Sequence, residues 1–138
     1  MVKEAIFDTS AIFAAVVKND PFHDAAYDIF QELGSVLLPV NVVTELAYLF
    51  WKRGANNASV LRKIVEHPKI TIICDVKAPI LAARTLERNG ISLISYNDAV
   101  VIHTATNRQI PIVTFDKQMR KRARALGIKV LPENILTG

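Results

Sequence analysis

An α/β fold with a mainly parallel sheet is predicted by three features of this 138-residue chain. Short apolar runs, mostly β-branched or aliphatic, recur along it and read as buried strands. Between them lie longer segments with a period of about 3.6 residues, which read as helices. No internal repeat, low-complexity tract or Pro/Gly/Ser linker interrupts the alternation. Parallel strands need crossover connections, and helices supply them.

In chain order, the expected strands are Ala5 to Phe7, Val36 to Leu38, Ile70 to Ile73, Ile112 to Val113 and Val130 to Leu131. A short helix from Ser10 to Val17 follows the first strand. The next helix has Ala25, Ile29, Phe30 and Leu33 on its apolar face. After the second strand, Val42, Val43, Leu46, Leu49 and Phe50 form an apolar helix in which Glu45 is the only acid. Ile80, Leu81, Arg84 and Leu86 mark a later helix that stops at Asn89-Gly90. The helix NDAVVIHTATN begins around Asp98, and the last helix begins at Lys117. About five strands and six or seven helices fit the length.

Size and composition bound the rest. A chain of this length buries a core of its own, so residues 1–138 are expected to form one domain. Its 51% hydrophobic and 22% charged content is ordinary for a globular protein. The longest apolar stretch, Val36 to Trp51, is broken by Pro39, Asn41, Thr44 and Glu45, so no membrane span is expected. Glu4 and Asp8 fall where a signal peptide would need an apolar core, and a cytoplasmic location is expected. The single cysteine, Cys74, excludes an internal disulfide and a cysteine metal cage, and is expected to pack in the core. The net charge of +4 favours a polyanionic partner only weakly.

The fold class carries a chemical expectation. Ligands of open parallel sheets bind beyond the carboxyl ends of the strands, where strand order reverses. Asp8 follows the first strand in EAIFDTS and Asp116 the fourth in PIVTFDK. Both reach the same rim if those strands are neighbours. Glu45 and Asp98, each early in a helix, complete a set of four acids.

Each acid also has a structural explanation. Ser95 and Asp98 match a Ser-x-x-Asp capping box. Asp116 fits as a cap of the helix starting at Lys117, Asp8 as a cap of the first helix, and Glu45 as a solvated helical glutamate. A gathered set is another matter. Carboxylates repel one another, and a cluster of them needs a cation or protons. Hard oxygen donors suit Mg²⁺, with Mn²⁺ as a substitute.

The segments FDTSAIFA, TEL, SYNDAVVIHTA and VTFDKQMRKRA resemble the four acidic motifs of the PIN (PilT N-terminal) domain, especially its VapC toxin branch. The resemblance runs through essentially the whole chain, in motif order. It implies a three-layer α/β/α fold with a five-stranded parallel sheet. It also implies a Mg²⁺-dependent endoribonuclease, with Asp8, Glu45, Asp98 and Asp116 as catalytic and metal-binding acids and Asp8 and Asp98 as primary ligands. Thr114 matches the family's hydroxyl in T-x-D and would orient Asp116 or a water. Some relatives carry a further acid where Asn97 and Lys117 stand here, which leaves the second metal open. A homodimer and a small inhibitory antitoxin are further implications of the family.

Lys117, Arg120 and Lys121, with Arg122 and Arg124, crowd one helix after Asp116 and are candidate contacts for RNA phosphates, or a solvated helix face. Tyr48 and Trp51 are candidates for an exposed interface. His23, His67 and His103 show no ligand spacing, and no Gly-rich phosphate loop is present. FDTSA lacks the second Asp that a haloacid dehalogenase pattern requires. Two other readings of the acidic set remain: a PIN-like module that binds RNA or protein without cutting, and an RNA-processing or DNA nuclease without an antitoxin.

Overall fold

The computed structural model describes residues 3–54, 58–89 and 94–135. Its elements run β1 (Glu4–Phe7), α1 (Thr9–Val16), α2 (His23–Glu32), β2 (Ser35–Pro39), α3 (Val40–Arg53), α4 (Ala58–Val65), β3 (Ile70–Ile73), α5 (Ala78–Asn89), α6 (Tyr96–Arg108), β4 (Ile112–Val113), α7 (Lys117–Ala125) and β5 (Val130–Leu131). The five strands form one sheet in the order β3-β2-β1-β4-β5, every pair parallel. Register places Ile6 opposite Leu37 on one side and Ile112 on the other. Strand order therefore reverses between β1 and β4, the two strands that Asp8 and Asp116 follow.

Successive residues of a strand point to opposite faces. Ala5, Ile6 and Phe7, and likewise Val36, Leu37 and Leu38, are all buried, so helices must cover both faces. This is the three-layer α/β/α arrangement. The middle layer is near-continuously apolar because no position faces water. Gly34 closes β2 against β1 by donating its N–H to the Lys3 carbonyl at 2.8 Å, and a Cβ there would lie 3.3 Å from that oxygen.

Strand positions match the sequence expectation within a residue at each end, and the helices differ mainly in which face is inward. In α2 the buried residue is Ala26, with Ile29 and Phe30 half-buried, while Ala25 is exposed. In α5 the buried pair is Ala78 and Ala82, and Ile80 is exposed. Small residues face inward there because α5 packs closely on α6, where Ala99 meets the same cluster. The Thr85 hydroxyl pairs with His103 Nε2 at 2.7 Å across that contact, and Asn107 Nδ2 of α6 donates to Asp75, in the segment before α5, at 2.9 Å. The α5 stop expected at Asn89-Gly90 lies partly outside the described residues, since Gly90 is not among them.

Cys74 is exposed, contrary to the core role expected of it. It follows β3, which is an edge strand with Thr71 and Ile72 also exposed, so the chain has already left the core there. No helix among the described residues is long and apolar enough to cross a membrane.

Candidate active site

Asp8 is the first residue beyond β1 and the N-cap of α1. It is 5% exposed, and its Oδ1 accepts the Ala11 N–H at 2.9 Å and the Ser10 hydroxyl at 2.7 Å. Asp116 stands in the equivalent place after β4, as N-cap of α7, with Oδ1 accepting the Met119 N–H at 3.0 Å. Its side chain is exposed. β1 and β4 are neighbours, so one turn of chain after each delivers an acid to the same rim.

Asp98 lies in the first turn of α6. The Ser95 hydroxyl caps that helix by accepting the Asp98 N–H at 3.1 Å. Glu45 is one turn into α3, half-buried beside Val42 and Leu46, which point into the core. Its carboxylate accepts the Thr9 hydroxyl on one oxygen and the Asn97 amide, at 3.4 Å, on the other. Asn41 in turn donates to the Asn97 carbonyl at 3.2 Å, tying α3 to the start of α6.

All four acids line a single cleft of about 590 Å³, with Thr9, Ser10, Ser95 and Asn97 supplying polar wall and Phe13, Phe22, Tyr48 and Phe115 apolar wall. The capping roles expected of Asp8 and Asp116 are therefore present and coexist with membership of the cleft. A cap uses only part of a carboxylate's accepting capacity.

The acids act on one another electrostatically. Burial pushes the Asp8 carboxyl up to about 6, against hydrogen bonds from Thr114, Ser10 and Ala11 that hold it down, and the charge of Asp98 adds to the rise. Asp98 is likewise pushed up to about 6, first by burial and then by Asp116 and Glu45. The charged forms are thus destabilised where they stand, as expected of acids gathered to receive a cation.

The fit of a divalent cation rests on this chemistry. The donors are all hard oxygens, and two of them carry raised pKa values. Among the described residues, no three or more His, Cys, Asp and Glu side chains are drawn into a ready-made cage. Mg²⁺ does not require one, because it keeps several waters and is bound through one or two carboxylates. The cleft suits such an ion better than a fully protein-ligated one.

Thr114 is fully buried. Its hydroxyl accepts the Asp116 N–H at 3.1 Å and is 3.4 Å from the Ser10 hydroxyl. Ser10 also accepts the Phe115 N–H at 3.0 Å, so Ser10 and Thr114 bridge the ends of β1 and β4 beneath the two aspartates. Ser10 and Thr9 were not anticipated as site residues, and Asn97 only as the residue standing where some relatives carry a further acid. The signal for Ser10 was its position two residues after Asp8; nothing local marks Thr9, whose partner Glu45 is remote in sequence.

The basic helix divides in two. Lys117 and Lys121 are exposed and line, with Arg124 and an edge of Arg120, a second groove of about 470 Å³. Arg120, expected beside them as a substrate contact, is instead 4% exposed. Its guanidinium donates to the carbonyls of Thr114 at 2.7 Å, Leu131 at 3.4 Å, Glu133 at 3.1 Å and also Pro132. Its donors are spent on the backbone. The three histidines have local partners: His23 with the Ala14 carbonyl, His67 with the Lys69 N–H and His103 with Thr85.

Comparison with known proteins agrees with this geometry. In fold the chain is similar to Mycobacterium tuberculosis VapC20, a Sarcin-Ricin loop cleaving toxin, at 20% identity and a TM-score of 0.76, covering 86% of this chain and 94% of that one. It is also similar to VapBC2 from Rickettsia felis bound to a promoter DNA fragment, at 18% identity and a TM-score of 0.68 over 92% of this chain and 96% of that one. A third likeness is to FitAcB from Neisseria gonorrhoeae, at 17% identity and a TM-score of 0.66 over 94% and 97%. A comparison with curated protein sequences gave no match. The PIN domain profile matches residues 5–125, and the chain belongs to the PIN domain family.

Proposed function

We propose that this chain is a Mg²⁺-dependent endoribonuclease and the toxin of a toxin–antitoxin pair. The observation that carries the reading is the single cleft at the β1/β4 reversal that holds Asp8, Glu45, Asp98 and Asp116, two of them with pKa values raised to about 6.

A phosphodiester resists hydrolysis because both it and the attacking group are anionic. Asp8 and Asp98 would hold a divalent ion, which would supply positive charge and Lewis acidity for that reaction, and Mn²⁺ is expected to substitute for Mg²⁺. The remaining work belongs to the chain. Ser10 and Thr114 fix the Asp8 carboxylate beneath the cleft. Thr9 and Asn97 fix Glu45, which leaves it a positioned acceptor for a water proton. Asp116, exposed at the rim, is placed to receive a proton or orient a water on the other side. Lys117 and Lys121 offer exposed ammonium groups to backbone phosphates next to Asp116.

The toxin assignment draws on the structural likeness to VapC20, a Sarcin-Ricin loop cleaving toxin, and to the VapBC2 and FitAcB proteins. A small antitoxin partner, a homodimeric state and residence in the cytoplasm are parts of the same proposal. Exposed Tyr48 and Trp51 on α3 are the surface offered for a partner chain.

The test is cleavage of RNA by the purified chain with and without Mg²⁺. Asp8→Asn and Asp98→Asn are expected to reduce the rate by at least about a thousandfold, in line with the loss of a group that holds transition-state charge. Equal rates in chelator, or in either variant, would overturn the nuclease reading. RNA binding that persists in both variants with no cleavage at any metal concentration would instead favour the non-cleaving module.

A further inference from the structure

One wall of the acidic cleft is aromatic, and nothing in the hydrolysis accounts for it. Phe22 and Phe115 stack with ring centroids 4.9 Å apart and planes only 17° from parallel, and both line the cleft. Phe115 is buried between Thr114 and Asp116, so it cannot move independently of the site. Phe22 is the part-exposed member of the pair.

The chain between α1 and α2 holds Phe22 in place. Asp20 Oδ1 accepts the Phe22 N–H at 2.8 Å, the Asp20 N–H bonds to the Val17 carbonyl at 3.0 Å, and the His23 N–H bonds to the Asp20 carbonyl at 3.0 Å. His23 Nδ1 pairs with the Ala14 carbonyl at 2.7 Å and anchors the start of α2 on α1. Pro21 fixes one further backbone angle. A ring fixed in this way loses little freedom when a second flat group stacks on it.

We infer that Phe22, backed by Phe115, is the stacking platform for an unpaired base next to the scissile phosphate. This rests on the nuclease reading and adds to it a residue that contacts substrate: a base flanking the cut gives its free face to Phe22. The chemistry favours this occupant for two reasons. A cleft with acids on its floor repels the phosphate chain except where a cation is bound, so inside the cleft a contact to something other than phosphate adds to the phosphate contacts that Lys117 and Lys121 offer outside it. The π-face of a base is such a group, and unpaired RNA bases are recognised by stacking on aromatic side chains. A base inside a duplex is already stacked on both faces and has no free face to offer.

The experiment uses the full chain with Mg²⁺ and an unstructured oligoribonucleotide whose cleavage position is first mapped. Matched oligonucleotides then carry an abasic residue on one or the other side of that position. The wild-type protein is expected to lose about tenfold in kcat/KM when the base on one side is removed, given the usual worth of a base–aromatic stack. Phe22→Leu keeps an apolar contact with the core and is expected to cleave intact and abasic substrates at equal rates. Phe22→Tyr is expected to restore the preference. Two results overturn the subsite while leaving the nuclease reading intact: no abasic penalty on either side in the wild type, or an undiminished penalty in Phe22→Leu. Absence of Mg²⁺-dependent cleavage by the wild type overturns the nuclease reading and the subsite with it.

Discussion

Arg120 shows how a residue's environment decides its use. Sequence places it among five cations on one helix, where it looks interchangeable with Lys117 and Lys121. In the fold it lies on the inner face of α7 with Met119 and Ala123, and its planar fork collects carbonyl oxygens from the ends of β4 and β5. Lysine could not serve so many acceptors spread across a plane. Arg120→Met removes every donor and leaves the buried Thr114 carbonyl without its guanidinium partner, a loss expected to cost about 1–3 kcal/mol of stability. Urea unfolding of the variant checks this, and a change under about 1 kcal/mol would show that water replaces the guanidinium. The difference between Arg120 and Lys117 was not legible in the sequence, because periodicity gives the face a residue occupies only when the inward direction is known. The acids were more legible. Asp8 and Asp116 each follow an apolar run that can only be a strand, and that position fixes which end of the sheet they reach. The bonds of Thr9 and Asn97 to Glu45 were not legible, because Glu45 lies 36 residues from one and 52 from the other.

Strands were read more accurately than helix faces, and the reason is physical. A strand of a covered parallel sheet is apolar on both faces, so its composition alone reveals it. A helix is revealed by its pattern, and α5 misleads because its inward face is Ala78 and Ala82 while the larger Ile80 faces solvent. Bulk was mistaken for burial. The close approach of α5 to α6 that selects alanine also positions Asp98, since α6 carries that acid in its first turn. Ala82 is fully buried, and Ala82→Leu is expected to overpack this contact at a cost of about 1–3 kcal/mol. The same variant should lower nuclease activity by more than its unfolded fraction explains, because any displacement of α6 moves Asp98 relative to Asp8. Comparing circular dichroism melting with cleavage at a temperature where the variant is fully folded separates the two effects. Full activity in the folded variant would show that the α6 start is held instead by its links to α3 through Asn97, Glu45 and Asn41.

At the scale of the molecule, the burial of Asp8 and Asp98 at the sheet reversal, with a smaller push from neighbouring acids, opposes folding unless charge is neutralised. Asp8 and Asp98 have folded-state pKa values raised from 3.8 to about 6. The unfolded chain releases these protons near 3.8 and the folded one near 6, so the folded state binds more protons between those values. Their favourable contribution is whole below about pH 4 and is lost as pH rises through 6. For buried Asp8 the loss is on the order of 3 kcal/mol at neutral pH, at about 1.4 kcal/mol per pKa unit. Asp98 is partly open to solvent, and its share is smaller. Asp8→Asn removes the titration while its side-chain oxygen still accepts the Ala11 N–H. The metal-free variant should therefore exceed the wild type in Tm by a margin that grows between about pH 4 and 7. A divalent ion reverses the balance by binding only the ionised carboxylates. Mg²⁺ should raise the wild-type Tm strongly at about pH 7.5, weakly at about pH 5, where protons compete for the same oxygens, and hardly at all in Asp8→Asn. Differential scanning calorimetry at the two pH values reads all three differences. An equal Mg²⁺ shift at both would mean that the ion binds elsewhere and that the acidic cleft carries its strain without a cation.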